Sequence, residues 1–510
     1  MEARVPATGG MTSAVVKGAI WNFSGQVLAL GISFFSVPFF IRLLGSEGYG
    51  VLVLVMLIPA YFAFADIGMG MASTKFAAEA YALRNGAREG KVVRTAALLA
   101  LLGTGTVAFP VVVLAPYILA WLNVPGEWLA SATAALRIVA IANIVVAVAS
   151  VLNSPMLARL RVDLNAVTAA IPRCLYSAGG PIVLLLGFGI EGAATWFLIV
   201  SILGTVVVIA ISGRLLPELV GMKIDRSLLA PLLRFGRGWL LAVMAVILLV
   251  NVEKLLLARM ASVQTLAYYS IAFMVANTAM FLPQAMTQAL LPAFSRLQSS
   301  VDGEAALQTL FRRCIRLNLF IEIPALTLMA VIARPLFRIW AGPEFEANST
   351  VPFYILLAGL LFNMIAAIPH SLILSTGRTE LLARLYWLQL LIYPLAAAVL
   401  IYYAGITGAA VAWSLRVIID SFLIHVIARR ASTVRTEYRR LIVSPGLPAL
   451  LLIPAIAAAF YDNYSLWLLM IVPVSVLGYC WAVWSTGLDG NERGWISNVL
   501  SRSVGSGHRS

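Results

Sequence analysis

The residues able to do chemistry in this chain are few, and most stand inside apolar runs. Arg137 lies among Ala, Leu, Ile and Val. Arg416 and Asp420 are four apart in another apolar stretch, so they share one helix face and can pair. Asp66 precedes Gly68 and Gly70, and Glu322 stands within a run of Leu, Phe and Ile. Amides add a softer polarity. Asn22 and Gln26 are four apart; Asn277, Gln284 and Gln288 follow steps of seven and four, which make one stripe along a single helix. A charge at the bilayer centre costs about 2.5–3.5 kcal/mol on insertion scales, so such groups face an interior or a wet cavity and take a partner. Cations there suit an anionic headgroup, and the acids Asp66 and Glu322 suit a coupling cation. Each residue also has a structural reading. Arg137 can reach the outer headgroups, Arg416 and Asp420 can be a packing pair, and the amides can join helices at about 0.6 kcal/mol each. Glu253 and Lys254, at the end of their apolar run, are expected as an outer-surface pair.

The elements that must position these groups are membrane helices. Of 510 residues, 61% are hydrophobic and 11% charged, whereas soluble domains run about 45–50% and about 25%. That balance excludes a soluble enzyme, a disordered chain and a coiled coil. The runs are long and continuous, which excludes an outer-membrane barrel with its period-two alternation. Spans are expected at 17–43, 48–72, 94–122, 130–157, 165–188, 190–213, 234–258, 264–291, 315–340, 350–374, 382–404, 406–430, 442–461 and 464–486. At about 20 residues each, they leave only short loops. The net charge of +14 is topological rather than a nucleic-acid footprint. With the N-terminus inside, Lys and Arg gather in the cytoplasmic loops, and only Arg42, Lys254, Arg259, Arg334 and Arg338 fall at outer ends. Both termini are therefore expected in the cytoplasm.

Residues recur at an offset near 217. Trp21 maps to Trp239, Arg42 to Arg259, Arg161 and Asp163 to Arg378 and Glu380, and Ile190–Ala194 to Ile406–Ala410, with Trp196 and Trp413 following. Six spans per copy keep both copies in one orientation, as in transporters with two parallel halves. The expected layout is an all-α polytopic membrane protein of about 14 transmembrane helices: an N-terminal six-helix half at 1–214, a cytoplasmic linker at 215–233, a C-terminal six-helix half at 234–430, two added helices at 431–490 and a tail at 491–510. Residues 72–93 read as a basic surface helix, facing anionic lipid or simply solvated.

Cys174, Cys314 and Cys480 are far apart and make no metal or disulfide framework. No phosphate-binding glycine loop with its lysine is present, so neither metal nor cofactor is expected. Glu344 and Glu346, on the longest outer loop, read as a solvated face. A membrane glycosyltransferase or polymerase would instead need such external acids, and it stands as the rival from another class.

Several segments resemble the bacterial polysaccharide flippases of the multidrug/oligosaccharidyl-lipid/polysaccharide exporter superfamily. They are Lys17–Asn22, Arg42–Gly50, Asp66–Gly70 with Lys75-Phe76, Arg259–Ser262 with Tyr268–Ser270, and Leu290–Leu297. The resemblance implies a non-enzymatic transporter of the bacterial inner membrane. It would move an undecaprenyl-pyrophosphate-linked oligosaccharide from the inner to the outer leaflet by alternating access. Its partners would be that lipid-linked substrate, membrane lipids, and a polysaccharide polymerase or glycosyltransferases. A multidrug or organic-cation antiporter of the same superfamily is the alternative; an acidic cavity favours it, and a basic one favours the flippase.

Overall fold

The computed structural model describes residues 8–61, 66, 68–219, 221, 224–298, 300, 303–432, 434, 448–461, 467–487 and 493. Among them there are fifteen α-helices and no strand. They are α1 (Thr8–Ala60), α2 (Met69–Ala82), α3 (Gly86–Trp121), α4 (Gly126–Leu152), α5 (Ser154–Ala158), α6 (Val162–Leu185), α7 (Gly189–Leu215), α8 (Leu229–Met260), α9 (Val263–Asn277), α10 (Phe281–Gln298), α11 (Gly303–Trp340), α12 (Pro343–Ser375), α13 (Thr379–Ala431), α14 (Ile453–Tyr461) and α15 (Trp467–Ala482). Eight helical stretches are long and apolar enough to cross a bilayer. Two of these are broken by a glycine, so the chain is a multi-pass membrane protein built of more spans than long helices. Helix is the form such a chain must take, because lipid offers no partner for an open backbone.

The two breaks fall where the hydropathy pattern puts boundaries. α1 breaks at Gly45 (φ 72°, ψ 175°), between the spans expected at 17–43 and 48–72. α13 breaks at Gly405 (φ 53°, ψ −128°), between those expected at 382–404 and 406–430. Only glycine takes such a backbone readily. Gly189, at the matching place in the first copy, has φ 59° and opens α7. The residues after each break, Ala193 and Ala194, Ala409 and Ala410, are fully buried. Arg161 and Arg378 likewise share one backbone, each preceding its helix (φ −82°, ψ 61° and φ −84°, ψ 48°). Each follows a left-handed residue, Leu160 (φ 55°) and Gly377 (φ 75°). The offset seen in sequence is thus repeated in local conformation.

The chain divides into two compact units, Met1–Ser270 with Leu385–Ala409, and Ile271–Arg384 with Ala410–Ser510. In the first unit α1 lies along α6, and α4 lies between α3 and α7. The segment after α7 is not a loose linker. Lys91 reaches Asp225 at 3.4 Å, and Arg94 donates to the carbonyls of Glu218 and Leu219. The Asp225 carboxyl is held below its usual range, first by the Ser227 hydroxyl and amide. Glu89, buried at the start of α3, takes both nitrogens of Arg159, which also covers the Tyr81 ring at 4.5 Å. Of the bases in 72–93, Lys91 is held by Asp225, while Lys75, Arg84 and Arg88 stay exposed. In the second unit α11 packs on α12, and α14 and α15 close against α11. Spans 13 and 14 begin and end partly outside the described residues.

Proline is common inside these helices, and two cases show how the freed carbonyls are met. Pro116 has no N–H to give the Val112 carbonyl; Arg137 Nε donates to that carbonyl at 3.0 Å. Pro324 leaves the Phe320 carbonyl without its helical donor; the Tyr479 hydroxyl of α15 donates to it at 3.2 Å.

Candidate functional site

The first unit contains a cavity of ≈ 260 Å³ lined by Pro59 of α1, by Asp66, by Thr104, Ala108 and Val111 of α3, and by Ala140, Asn143, Val146, Ala147 and Ser150 of α4. Helix α1 ends at Ala60, and α2 begins only at Met69. The span expected at 48–72 is thus discontinuous, and Asp66 sits at the break. Gly68 takes a left-handed conformation (φ 65°, ψ 24°). Its N–H donates to Asp66 Oδ1 at 2.9 Å, an aspartate turn that fixes the carboxylate.

The other polar atoms come from α3 and α4. Asn143 Nδ2 donates to the Val139 carbonyl at 2.9 Å, which leaves its Oδ1 for the cavity. Ser150 Oγ donates to the Ala147 carbonyl at 2.7 Å. Thr104 Oγ1 is buried with no protein partner. One carboxylate, one amide and two hydroxyls thus line it beside six apolar residues, with space for several waters. Ligand sites for even drug-sized molecules run to about 300–1,000 Å³, so a sugar-pyrophosphate head does not fit here. The lining contains an acid and no Lys or Arg. This cavity is not the electropositive chamber that the arginines suggest.

The remaining expected residues are placed as follows. Arg137 is exposed on α4 and donates Nε to the Val112 carbonyl. Arg416 is half-buried and Asp420 buried, one turn apart on α13. Gln26 is half-buried in α1. The side chains of Asn22 and Gln288 lie outside the described residues. Asn277 and Gln284 are both exposed. A 3-10 turn at Thr278–Met280 separates α9 from α10. Glu322 is fully buried in α11, and neither of its carboxyl oxygens has a hydrogen-bond partner. Glu346 lies 3.9 Å from Arg338 at the start of α12.

One residue read as surface proves to be interior. Glu253 of α8 has 0% exposure. It accepts from the hydroxyls of Tyr393 (2.9 Å) and Tyr269 (3.4 Å), while Lys254 turns to Asn251 Oδ1 at 2.8 Å. Position near the end of a hydrophobic run gave the wrong depth. Only the packing of α9 and α13 brings the two tyrosines together, and no local pattern announces it.

Comparison with known proteins places this architecture. The description of a known family, polysaccharide biosynthesis protein, matches residues 39–350. The chain belongs to that family. A Shigella flexneri protein named as an O-antigen transporter is 24% identical over 428 residues, 82% of this chain and 99% of that one. The lipopolysaccharide biosynthesis protein WzxC of Escherichia coli is 27% identical over 244 residues, 47% and 48% of the two chains. Among solved structures, the lipid II flippase MurJ, inward closed, aligns with a TM-score of 0.71 at 15% identity, covering 92% of this chain and 98% of its own. An inward-facing multidrug-resistance transporter of the MATE family, within the MOP superfamily, aligns at 0.63 and 15%, covering 82% and 98%. Those two share the fold, and the superfamily resemblance seen in the sequence agrees with them.

Proposed function

We propose that this protein is a flippase of the bacterial inner membrane. It moves a polysaccharide repeat unit carried on undecaprenyl pyrophosphate from the inner to the outer leaflet by alternating access. The observation that carries the reading is its similarity along almost the whole length of a relative named as an O-antigen transporter. Two parallel six-helix halves, 1–214 and 234–430, do the moving, and both termini stay in the cytoplasm. The headgroup is polar and anionic, and it cannot cross about 30 Å of hydrocarbon unaided. Arg137, Arg416 and Asp420, with Asn22, Gln26, Asn277, Gln284 and Gln288, supply its polar contacts. Asp66 and Glu322 carry the coupling ion. With the cell interior negative, outward movement of an anion gains about 2.3 kcal/mol per charge per 100 mV, so the protein's first task is to lower the barrier. A polymerase or glycosyltransferases receive and supply the unit.

Arg137 offers the sharpest test, because its structural and transport roles separate. Arg137→Ala leaves the Val112 carbonyl without a donor, at a cost of about 1–3 kcal/mol. Adding Pro116→Ala returns a backbone N–H to that carbonyl. In a deletion strain of the native host, the wild-type gene restores surface glycan. The double variant regains thermal stability and still fails to export. Normal surface glycan from the double variant removes Arg137 from the substrate path.

A further inference from the structure

The second unit holds a group that the cavity of the first does not explain. Glu322 (0% exposed) and Asn318 (1% exposed) are one turn apart on α11. Asn318 Nδ2 donates to the Met364 carbonyl of α12 at 3.2 Å. A carbonyl only accepts, so the amide nitrogen must face Met364, and its oxygen turns elsewhere. That Oδ1 and both oxygens of Glu322 have no hydrogen-bond partner. Three buried acceptors without a hydrogen-bond partner thus lie one turn apart on α11.

An ionised carboxylate so placed costs several kcal/mol. A hard metal ion would relieve it, but such ions take six to eight oxygens, and these two side chains offer three. One proton answers the whole deficit. On Glu322 it makes a hydroxyl donor, and Asn318 Oδ1 is the acceptor one turn away. No neighbouring charge takes the proton's place. Among the described residues packed on α11, α10 brings Arg296, α12 brings Glu344, Glu346, Tyr354 and His370, and α15 brings Tyr479 and Cys480; α11 itself adds Glu304, Arg312, Arg313, Cys314, Arg316, Arg334 and Arg338. Tyr479 is committed to the Phe320 carbonyl.

The site also sits where both helices are loosened. Pro324 cancels the helical bond to Phe320, and Pro369 cancels the one to Ile365, the residue next to Met364. A side chain that changes charge at two proline-weakened turns can alter how α11 meets α12, whereas the same pair in unbroken helices would be static.

We propose that Glu322 and Asn318 form a proton-binding site, occupied while the α11–α12 contact is closed and emptied when it opens. This rests on the flippase reading and deepens it by naming the proton as the coupled ion. The test uses the full chain in liposomes. Infrared difference spectra on pH change show a protonated-carboxyl band that Glu322→Gln removes and Asn318→Ala displaces. In cells of the native host, wild-type export falls when the pH gradient is collapsed at constant membrane potential, and replacing sodium by choline leaves it unchanged. Glu322→Gln folds, since it keeps a donor for Asn318, and loses the dependence on the pH gradient; Glu322→Asp restores it. A band unchanged in Glu322→Gln overturns the site even if export is normal. Export that follows sodium instead of the pH gradient overturns the choice of ion. Wild type that exports no glycan while keeping the band defeats the flippase reading alone.

Discussion

Two acids, Asp66 and Glu322, interrupt apolar sequence in this protein, and their surroundings are opposite. Asp66 stands between α1 and α2, where the Gly68 N–H fixes one oxygen and the residue lines a cavity. Glu322 is sealed inside α11 with no donor for either oxygen. The first borders a cavity; the second is enclosed, with no exposure. Residue type alone made them look alike; the difference comes from whether the helix breaks at the acid or continues through it.

Placing a lysine at each site breaks the comparison most forcefully. Glu322→Lys puts an unpaired cation among Leu319, Phe320 and Ile323, and folded protein is lost from the membrane, a cost of about 3–5 kcal/mol or more. Asp66→Lys can extend into the cavity, so the protein still inserts and elutes as a single species. Equal loss in size-exclusion profiles of both variants contradicts the contrast. A gentler change sharpens it. Asp66→Asn keeps the oxygen that accepts from Gly68, so the melting curve moves by less than about 0.5 kcal/mol, yet export of glycan fails. Normal export by Asp66→Asn removes the carboxylate from the transport cycle.

Access separates the sites without disturbing charge. Ser150 is exposed on the cavity wall, and Asn318 is buried. Ser150→Cys, with the native cysteines replaced, reacts with a small charged thiol reagent in intact membranes, and Asn318→Cys stays protected until the protein is denatured. Equal labelling rates contradict a wet site beside a sealed one. The smallest effect concerns the repeated copies rather than the acids. Leu160 holds a left-handed backbone where the second copy has Gly377. Leu160→Gly relieves about 1–2 kcal/mol of that strain, less the entropy glycine gains when unfolded. A rise in melting temperature is expected, and a fall shows that the leucine side chain contributes more by packing.

Much of the fold was legible before any coordinates. Fourteen spans follow from hydropathy, the boundaries it sets at 43/48 and 404/406 coincide with the breaks at Gly45 and Gly405, and the offset near 217 returns as matched backbone at Arg161 and Arg378. The loosening at Asp66 was visible in Gly68 and Gly70. What failed were inferences that assumed a helix continues or a surface lies where hydrophobicity ends. The 3-10 turn between Asn277 and Gln284 is one such interruption, and no residue type signals it. Glu253 was assigned to the outside because Lys254 and a span end adjoin it; tyrosines from α9 and α13 enclose it instead. Such partners come from distant sequence, and one-dimensional periodicity does not carry them.

The account rests on transbilayer movement of a lipid-linked oligosaccharide, and reconstitution tests that most directly. Liposomes with the purified protein are loaded with undecaprenyl-pyrophosphate oligosaccharide on one face, and a membrane-impermeant lectin reads the glycan appearing on the other. The expected result is glycan that becomes accessible at a rate that depends on the protein and is lost in Arg137→Ala with Pro116→Ala. Glycan that stays protected, with the protein folded and correctly inserted, contradicts the account.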